Sequence, residues 1–136
     1  AQAYMAAEWI GTDPPGDSSH GFISARDPVS GELAWERRYD IIPHSALLST
    51  GGGLLFNGTM DGWLEAIDAE TGSLLWKFNN GSAHNGGIVS YEVGGVQYIT
   101  VVSGQGSYVG YAVNALNSDK LINMKDSAAV VAFTLP

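Results

Sequence analysis

Short apolar runs separated by clusters of glycine, asparagine, serine and aspartate make up most of this chain. One run alternates clearly, with Trp63, Glu65 and Ile67 on one face and Leu64 and Ala66 on the other, which is typical of a β-strand. No segment of useful length has a helical pattern, so the chain is predicted to be all-β. The predicted strands are residues 21–25, 33–38, 45–49, 54–57, 63–67, 74–78, 87–93, 96–102 and 128–135.

The chain contains an internal repeat. Residues 25–35 and 66–76 both fit the pattern Ala-x-Asp-x-x-(Ser/Thr)-Gly-x-x-x-Trp, at an offset of 41 residues. A period of about 40 residues is the length of one four-stranded propeller blade. In each copy the aspartate is suited to accept backbone N–H bonds within a turn, and the glycine to supply a positive φ. We predict that Trp35 and Trp76 are structural and fill the gaps between neighbouring blades.

The repeat predicts parts of consecutive β-propeller blades. Residues 1–43 are expected to end one blade, residues 44–80 to form a full blade, and residues 81–136 to supply the last strands, a loop and a ring-closing strand. About two blades cannot close a ring, and open sheet edges are unfavourable. We therefore expect further N-terminal blades, in the same protein or as another chain.

Composition narrows the possible functions. Of 136 residues, 14 are acidic and 6 basic, and the net charge is -8. An acidic surface is unfavourable for nucleic-acid binding, because phosphates need Lys or Arg partners. The sequence has no cysteine, which excludes disulfides, a thiol nucleophile and Cys-ligated metals within it. No apolar stretch is long enough to span a bilayer, and the histidines lack the spacing of a zinc motif.

Several blocks resemble, in order, the C-terminal blades of quinoprotein alcohol dehydrogenases of the methanol/ethanol dehydrogenase family. The blocks are the repeat, His20-Gly21, residues 48–56, residues 57–63, residues 97–99 and residues 130–133. The resemblance implies a fragment of an eight-bladed propeller with tryptophan-docking motifs. It also implies oxidation of a primary alcohol or similar substrate at pyrroloquinoline quinone (PQQ), with Ca²⁺ or a lanthanide as Lewis acid.

The resemblance further implies electron transfer to a cytochrome c, a periplasmic location and the remaining N-terminal blades as partners, with a homodimer as a further option. In the family, the catalytic aspartate and the metal ligands come from earlier blades. No catalytic or metal-binding residue is therefore assigned in this chain, and the chain alone is expected neither to bind PQQ tightly nor to turn over.

The candidate pocket residues follow from the resemblance and the propeller geometry. His44 falls where many family members carry Trp or Asn beside the quinone, and is expected to bind the cofactor together with the backbone N–H of Ser45. Tyr108 lies in a loop that covers the substrate entrance in the family. His84 and Asn85 join two blades near the central face and are candidates for the substrate pocket. Each candidate also has an ordinary structural interpretation. His44 would be a hydrogen-bonded loop histidine, Tyr108 an exposed loop tyrosine, and His84 and Asn85 residues that only bond the backbone groups of a turn.

Two other functions stay open. A scaffold propeller without a cofactor, such as an outer-membrane assembly lipoprotein, shares the repeat but is not expected to share the His20-Gly21 block or the loop of residues 104–126. A small repeat module that oligomerises to complete a ring is the second alternative. Light scattering would separate a closed oligomer from a partly unfolded monomer.

Overall fold

The computed structural model describes residues 20–105 and 128–134, and within these ranges the only regular elements are β-strands. Each predicted strand is present, with ends shifted by at most two residues, and the all-β prediction is confirmed. The strands are β1 Gly21–Arg26, β2 Leu33–Tyr39, β3 Leu47–Ser49, β4 Leu54–Gly58, β5 Trp63–Asp68, β6 Leu74–Asn79, β7 Ile88–Val93, β8 Val96–Ser103 and β9 Ala129–Thr134.

The strands form three antiparallel sheets, in the orders β1-β2, β3-β4-β5-β6 and β7-β8-β9. The second sheet has the four strands of one propeller blade. Its first strand starts at Leu47 and not at residue 45, because Ser45 and Ala46 belong to the connection from the first sheet. The Ala46 N–H donates to the carbonyl of Gly86 at 3.5 Å, outside any strand.

The two copies of the repeat form the same turn. Oδ1 of Asp27 accepts the N–H groups two and three residues on at 2.8 and 2.7 Å, and Oδ1 of Asp68 does so at 3.0 and 2.7 Å. These bonds, chiefly the one from three residues on, hold the pKa of both carboxyls below the usual 3.8. Gly31 and Gly72 have φ of 76° and 73°, so the predicted roles of aspartate and glycine are confirmed.

The hydrophobic core lies between the second and third sheets. The strand alternation in β4 and β5 turns one face of the second sheet toward β7 and β8. Burying each large aliphatic side chain there stabilises the fold by roughly 1.5–3 kcal/mol. The buried members of the core are Phe56, Leu64, Ala66, Ile88, Ile99 and Val101.

Trp35 packs the first sheet onto the second. Its indole N–H donates to the carbonyl of Ala69 at 3.0 Å, and its ring lies so close to Gly72 that a Cβ there would come within 2.7 Å. Trp76, the equivalent residue of the second copy, meets Phe133 of β9 edge to face, with ring centroids 5.3 Å apart. Both indoles thus contact a neighbouring sheet, through different partners, and the expectation that they fill the gaps between blades stays a prediction.

Candidate functional site

Several connecting segments meet at the end of the sheets where β2, β4 and β6 finish, which we call the loop end. It consists of residues 40–46, 59–62, 80–87 and 103–105. The N–H of His84 donates to the carbonyl of Thr59 at 3.0 Å, and the N–H of Gly104 donates to the carbonyl of Ala83 at 2.6 Å. The first bond joins two loops of the second sheet, and the second bond ties one of these loops to the segment after β8, so the side chains on them hold defined positions relative to one another.

Gly58 makes the close approach at the loop end possible. A Cβ at this position would collide with the Cβ of His84 and would lie 2.8 Å from the Oγ of Ser45. Ser45 is buried, and its hydroxyl donates to the carbonyl of Ala46 at 3.1 Å. The absence of a side chain at Gly58 therefore lets the two inter-sheet loops pack against the end of β4.

The structure brings two of the predicted pocket residues into direct contact. Nδ1 of His44 lies 2.6 Å from Oδ1 of Asn85, although 41 positions separate them in the sequence. The amide nitrogen of Asn85 donates to the carbonyl of Gln105 at 3.5 Å. Asn85 thus links the loop after the first sheet to the segment that follows β8. Ser45, the next residue after His44, lies on the same loop.

His84 lies beneath the surface of the loop end. Only 1% of it is exposed, and neither ring nitrogen has a hydrogen-bond partner among the described residues. Burial lowers the pKa of His84 below its ordinary 6.5, and the Gly62 carbonyl and the Asp61 carboxylate oppose this only in part. Burial therefore favours the neutral ring, and buried polar atoms that stay unpaired cost about 1–3 kcal/mol.

A polar network that sequence reasoning missed joins the first sheet to the second. The Tyr39 hydroxyl donates to Glu65 at 2.8 Å, and Nε of Arg37 donates to the Tyr39 oxygen at 3.2 Å. A guanidinium nitrogen of Arg37 lies 3.8 Å from the Glu65 carboxylate. Burial raises the pKa of Tyr39 to about 12. These residues line a cleft of about 430 Å³, whose other lining residues are Arg38, Asp40, Ile41, Thr59 and Asp61. In the sequence, the signal for this network was the pair of polar side chains at alternate positions of β2, Arg37 and Tyr39.

Asn57 is a second buried polar side chain outside the sequence predictions. It is fully buried in β4, and both amide atoms lack a hydrogen-bond partner in the part of the chain that the structure describes. The signal for it was a polar residue at the end of the otherwise apolar run 54–56. Its cross-strand neighbour is Glu65, so it lies on the face of the sheet that meets β2.

Other expectations concern features beyond these contacts. Tyr108 lies outside the described residues, so its place at a substrate entrance stays a prediction. Within residues 20–105 and 128–134, no group of three or more His, Cys, Asp or Glu side chains is arranged to hold a metal ion. Over the same ranges, no helix has the length and apolar character needed to cross a membrane.

Known proteins resemble this chain in sequence and in structure. Residues 20–99 match the family model described as PQQ, glucose/ethanol/alcohol dehydrogenase, β-propeller domain. The chain is 40% identical over 93 residues to the quinoprotein ethanol dehydrogenase of Pseudomonas aeruginosa, an alignment that covers 68% of this chain and 15% of that protein. It is 39% identical over 90 residues to methanol dehydrogenase (cytochrome c) subunit 1 of Paracoccus denitrificans, which covers 66% and 14% of the two chains.

A solved structure of a europium-containing methanol dehydrogenase superposes on this chain with a TM-score of 0.76 and 28% identity. The superposition covers 88% of this chain and 24% of that one. The chain therefore spans a small part of the proteins it matches, about 15% of the length of the curated relatives.

Proposed function

This chain belongs to the PQQ glucose/ethanol/alcohol dehydrogenase family, as part of its β-propeller domain, and from this premise we propose that the whole protein is a PQQ-dependent alcohol dehydrogenase. Its substrate is a primary alcohol or a similar compound. The observation that carries the proposal is the match over residues 20–99, which includes both copies of the repeat and all of the loop end except residues 103–105. The names of the relatives, which act on ethanol and methanol, support the substrate class. The scaffold alternative gains no support from these matches.

The polar groups of the loop end fit a quinone cofactor and a small alcohol. A quinone cofactor carries carbonyl and carboxylate oxygens and an N–H, all of which need hydrogen-bond partners where water is excluded. The half-buried ring of His44 and the amide of Asn85 supply such partners at the same place. When bound, PQQ supplies the quinone that takes up the two electrons of alcohol oxidation.

The residues of this chain then have separate tasks. His44 and Ser45 bind the cofactor edge, and Asn85 and Tyr108 line the substrate side of the pocket. His84 belongs to the substrate side too, but from beneath the surface, where it supports the loop that carries Asn85. Its neutral ring adds no charge to the pocket, because burial lowers its pKa. Both loops pack so closely on Gly58 that no side chain fits between them.

The metal site and the catalytic base belong to the rest of the protein. The described residues of this chain do not fit a Ca²⁺ or lanthanide site, since no group of three acidic or histidine side chains is gathered in them. The name of the europium-containing structure supports the lanthanide option. The acceptor that we propose is a cytochrome c, in line with the name of the Paracoccus relative, and the periplasm is the compartment implied by the resemblance. The remaining blades complete the ring, and a homodimer is compatible with it.

Reconstitution of the full-length polypeptide tests this function. The cofactor-free protein is supplied with PQQ and either Ca²⁺ or a lanthanide, and alcohol-dependent reduction of a dye is measured. We expect reduction only when PQQ and a metal are both present, and none from the 136-residue chain alone. The proposal fails if the full-length protein reduces no dye with any short primary alcohol under these conditions. Reduction by the isolated chain would contradict the assignment of the catalytic groups to other blades.

A further inference from the structure

Two contacts of Asn85 favour one orientation of its amide. Its oxygen faces Nδ1 of His44 at 2.6 Å, and its nitrogen donates to the carbonyl of Gln105 at 3.5 Å. A reversed amide would direct its oxygen at a carbonyl oxygen, with no proton between them, and would lose that bond. The amide oxygen can only accept, so the proton of the 2.6 Å hydrogen bond lies on Nδ1 of His44.

A fixed proton on Nδ1 determines the chemistry of the other ring nitrogen. A neutral imidazole has one N–H, so Nε2 of His44 carries a lone pair and accepts hydrogen bonds. Among the residues that the structure describes, Nε2 has no hydrogen-bond partner, and the ring is only partly buried. Neutral His44 therefore presents an acceptor at the loop end, while a donor at Nε2 would require a protonated ring.

We propose that Nε2 of His44 accepts a hydrogen bond from an O–H or N–H donor of the bound ligand, and that Asn85 is the positioning residue that holds the ring in this state. The inference rests on the proposed function and deepens it, because it specifies the polarity of one contact. Two groups have this chemistry, the hydroxyl of the alcohol and the N–H of the quinone cofactor. The carbonyl oxygens of the quinone do not, since they are acceptors themselves.

The loop that carries Asn85 also supplies a matched control. Asn80 donates to the Oγ of Ser103 at 2.8 Å and accepts the N–H of Ser82 at 3.1 Å, so it stabilises the same loop without contacting His44. Asn80→Ala removes an amide from the loop, as Asn85→Ala does. A difference between the two variants therefore reports the contact with His44 and not the general stability of the loop.

The first test observes the ring directly in the full-length polypeptide labelled with ¹⁵N-histidine. The signals of His44 are identified by their loss in His44→Phe. In the neutral ring we expect Nδ1 to be protonated and Nε2 to be unprotonated, in the wild type and in Asn80→Ala. In Asn85→Ala, the two tautomers should mix. Protonation of Nε2 with an unprotonated Nδ1 in the wild type would overturn the inference, whatever the activity of the protein.

The second test separates the two ligand groups. The dissociation constant of PQQ is measured by titration of the cofactor-free protein, and KM for the alcohol by dye reduction. Loss of one hydrogen bond should raise one of these constants about three- to tenfold in His44→Phe and by less in Asn85→Ala, with no change in Asn80→Ala. A rise in KM alone assigns the alcohol hydroxyl, and a rise in the PQQ constant assigns the cofactor N–H. If both constants are unchanged in His44→Phe, or if Asn80→Ala raises them as much as Asn85→Ala, the inference is wrong.

The proposed function fails in a different way. A wild-type protein that binds no PQQ and oxidises no alcohol would overturn both the function and the ligand assignment, even with the expected ¹⁵N signals. A functional enzyme with unchanged constants in His44→Phe would overturn only the role of His44.

Discussion

Gly72 lies directly against the indole of Trp35, and replacing it by alanine tests how the first two sheets are joined. The added Cβ would come within 2.7 Å of Cδ2 and 2.8 Å of Cε3 of the indole. Carbon atoms do not approach so closely, so the ring has to move or the turn has to shift. Movement of the ring would also break the bond of 3.0 Å from its N–H to the carbonyl of Ala69.

The expected loss of stability has three parts. Alanine at the positive φ of Gly72, 73°, costs about 1–2 kcal/mol. Relief of the overpacking costs about 1–3 kcal/mol, and loss of the indole hydrogen bond about 1 kcal/mol. We therefore expect Gly72→Ala to lower the free energy of unfolding by about 3–6 kcal/mol.

Gly31→Ala is the matched control, because Gly31 occupies the same position of the first repeat copy. Its φ is 76°, and a Cβ there would meet no described atom within 4 Å. In this variant only the positive φ should lower the free energy of unfolding, by about 1–2 kcal/mol. Urea unfolding followed by tryptophan fluorescence measures both variants. Equal losses in the two would refute the reasoning, because docking of the indole would then contribute nothing.

Other predictions concern buried polar groups, each measured by urea unfolding across a range of pH. His84→Leu should raise the free energy of unfolding by about 1–2 kcal/mol at neutral pH, because it removes two buried nitrogens that no group in residues 20–105 and 128–134 pairs with. Because the pKa of His84 is lowered in the folded state, the unfolded chain takes up a proton at a higher pH. The wild type should therefore lose stability as the pH falls below 6.5, and His84→Leu should lose less. Tyr39→Phe should cost about 1–2 kcal/mol at neutral pH, since buried Glu65 loses a donor at 2.8 Å. With the pKa of Tyr39 raised to about 12 from 10.0, the wild type should lose stability between pH 10 and 12, and Tyr39→Phe should not show that loss. An identical pH dependence in wild type and variant would contradict either prediction.

The repeat and its turns could be predicted from the sequence because they depend on near neighbours. Asp27 and Asp68 bond to groups two and three residues away, and Gly31 and Gly72 supply the backbone conformation that these turns need. Strand positions follow from the alternation of apolar and polar residues in the same way. Because the residues that form these turns and strands are near one another in the sequence, the sequence pattern is enough to predict them.

The contacts between sheets could not be predicted with the same certainty. The sequence places Arg37 and Tyr39 on one face of a strand, but their bonds with Glu65 depend on how the first sheet packs on the second. The equivalent tryptophans of the repeat show the same limit. Trp35 lies on a glycine of the next sheet, whereas Trp76 meets an aromatic ring of β9, because the third sheet does not repeat the motif.

The sequence by itself therefore determined the all-β fold, the two repeat turns and the set of pocket candidates. Only the tertiary structure decided how those candidates are arranged: His44 pairs with Asn85 across 41 positions, while the ring of His84, the neighbour of Asn85, is buried with no hydrogen-bond partner among the described residues. The physical reason lies in the loops. Consecutive residues of a tight connection point in different directions, and their partners are set by the packing of sheets on either side. Gly58 shows the same dependence, since its lack of a side chain matters only where two distant loops meet over β4.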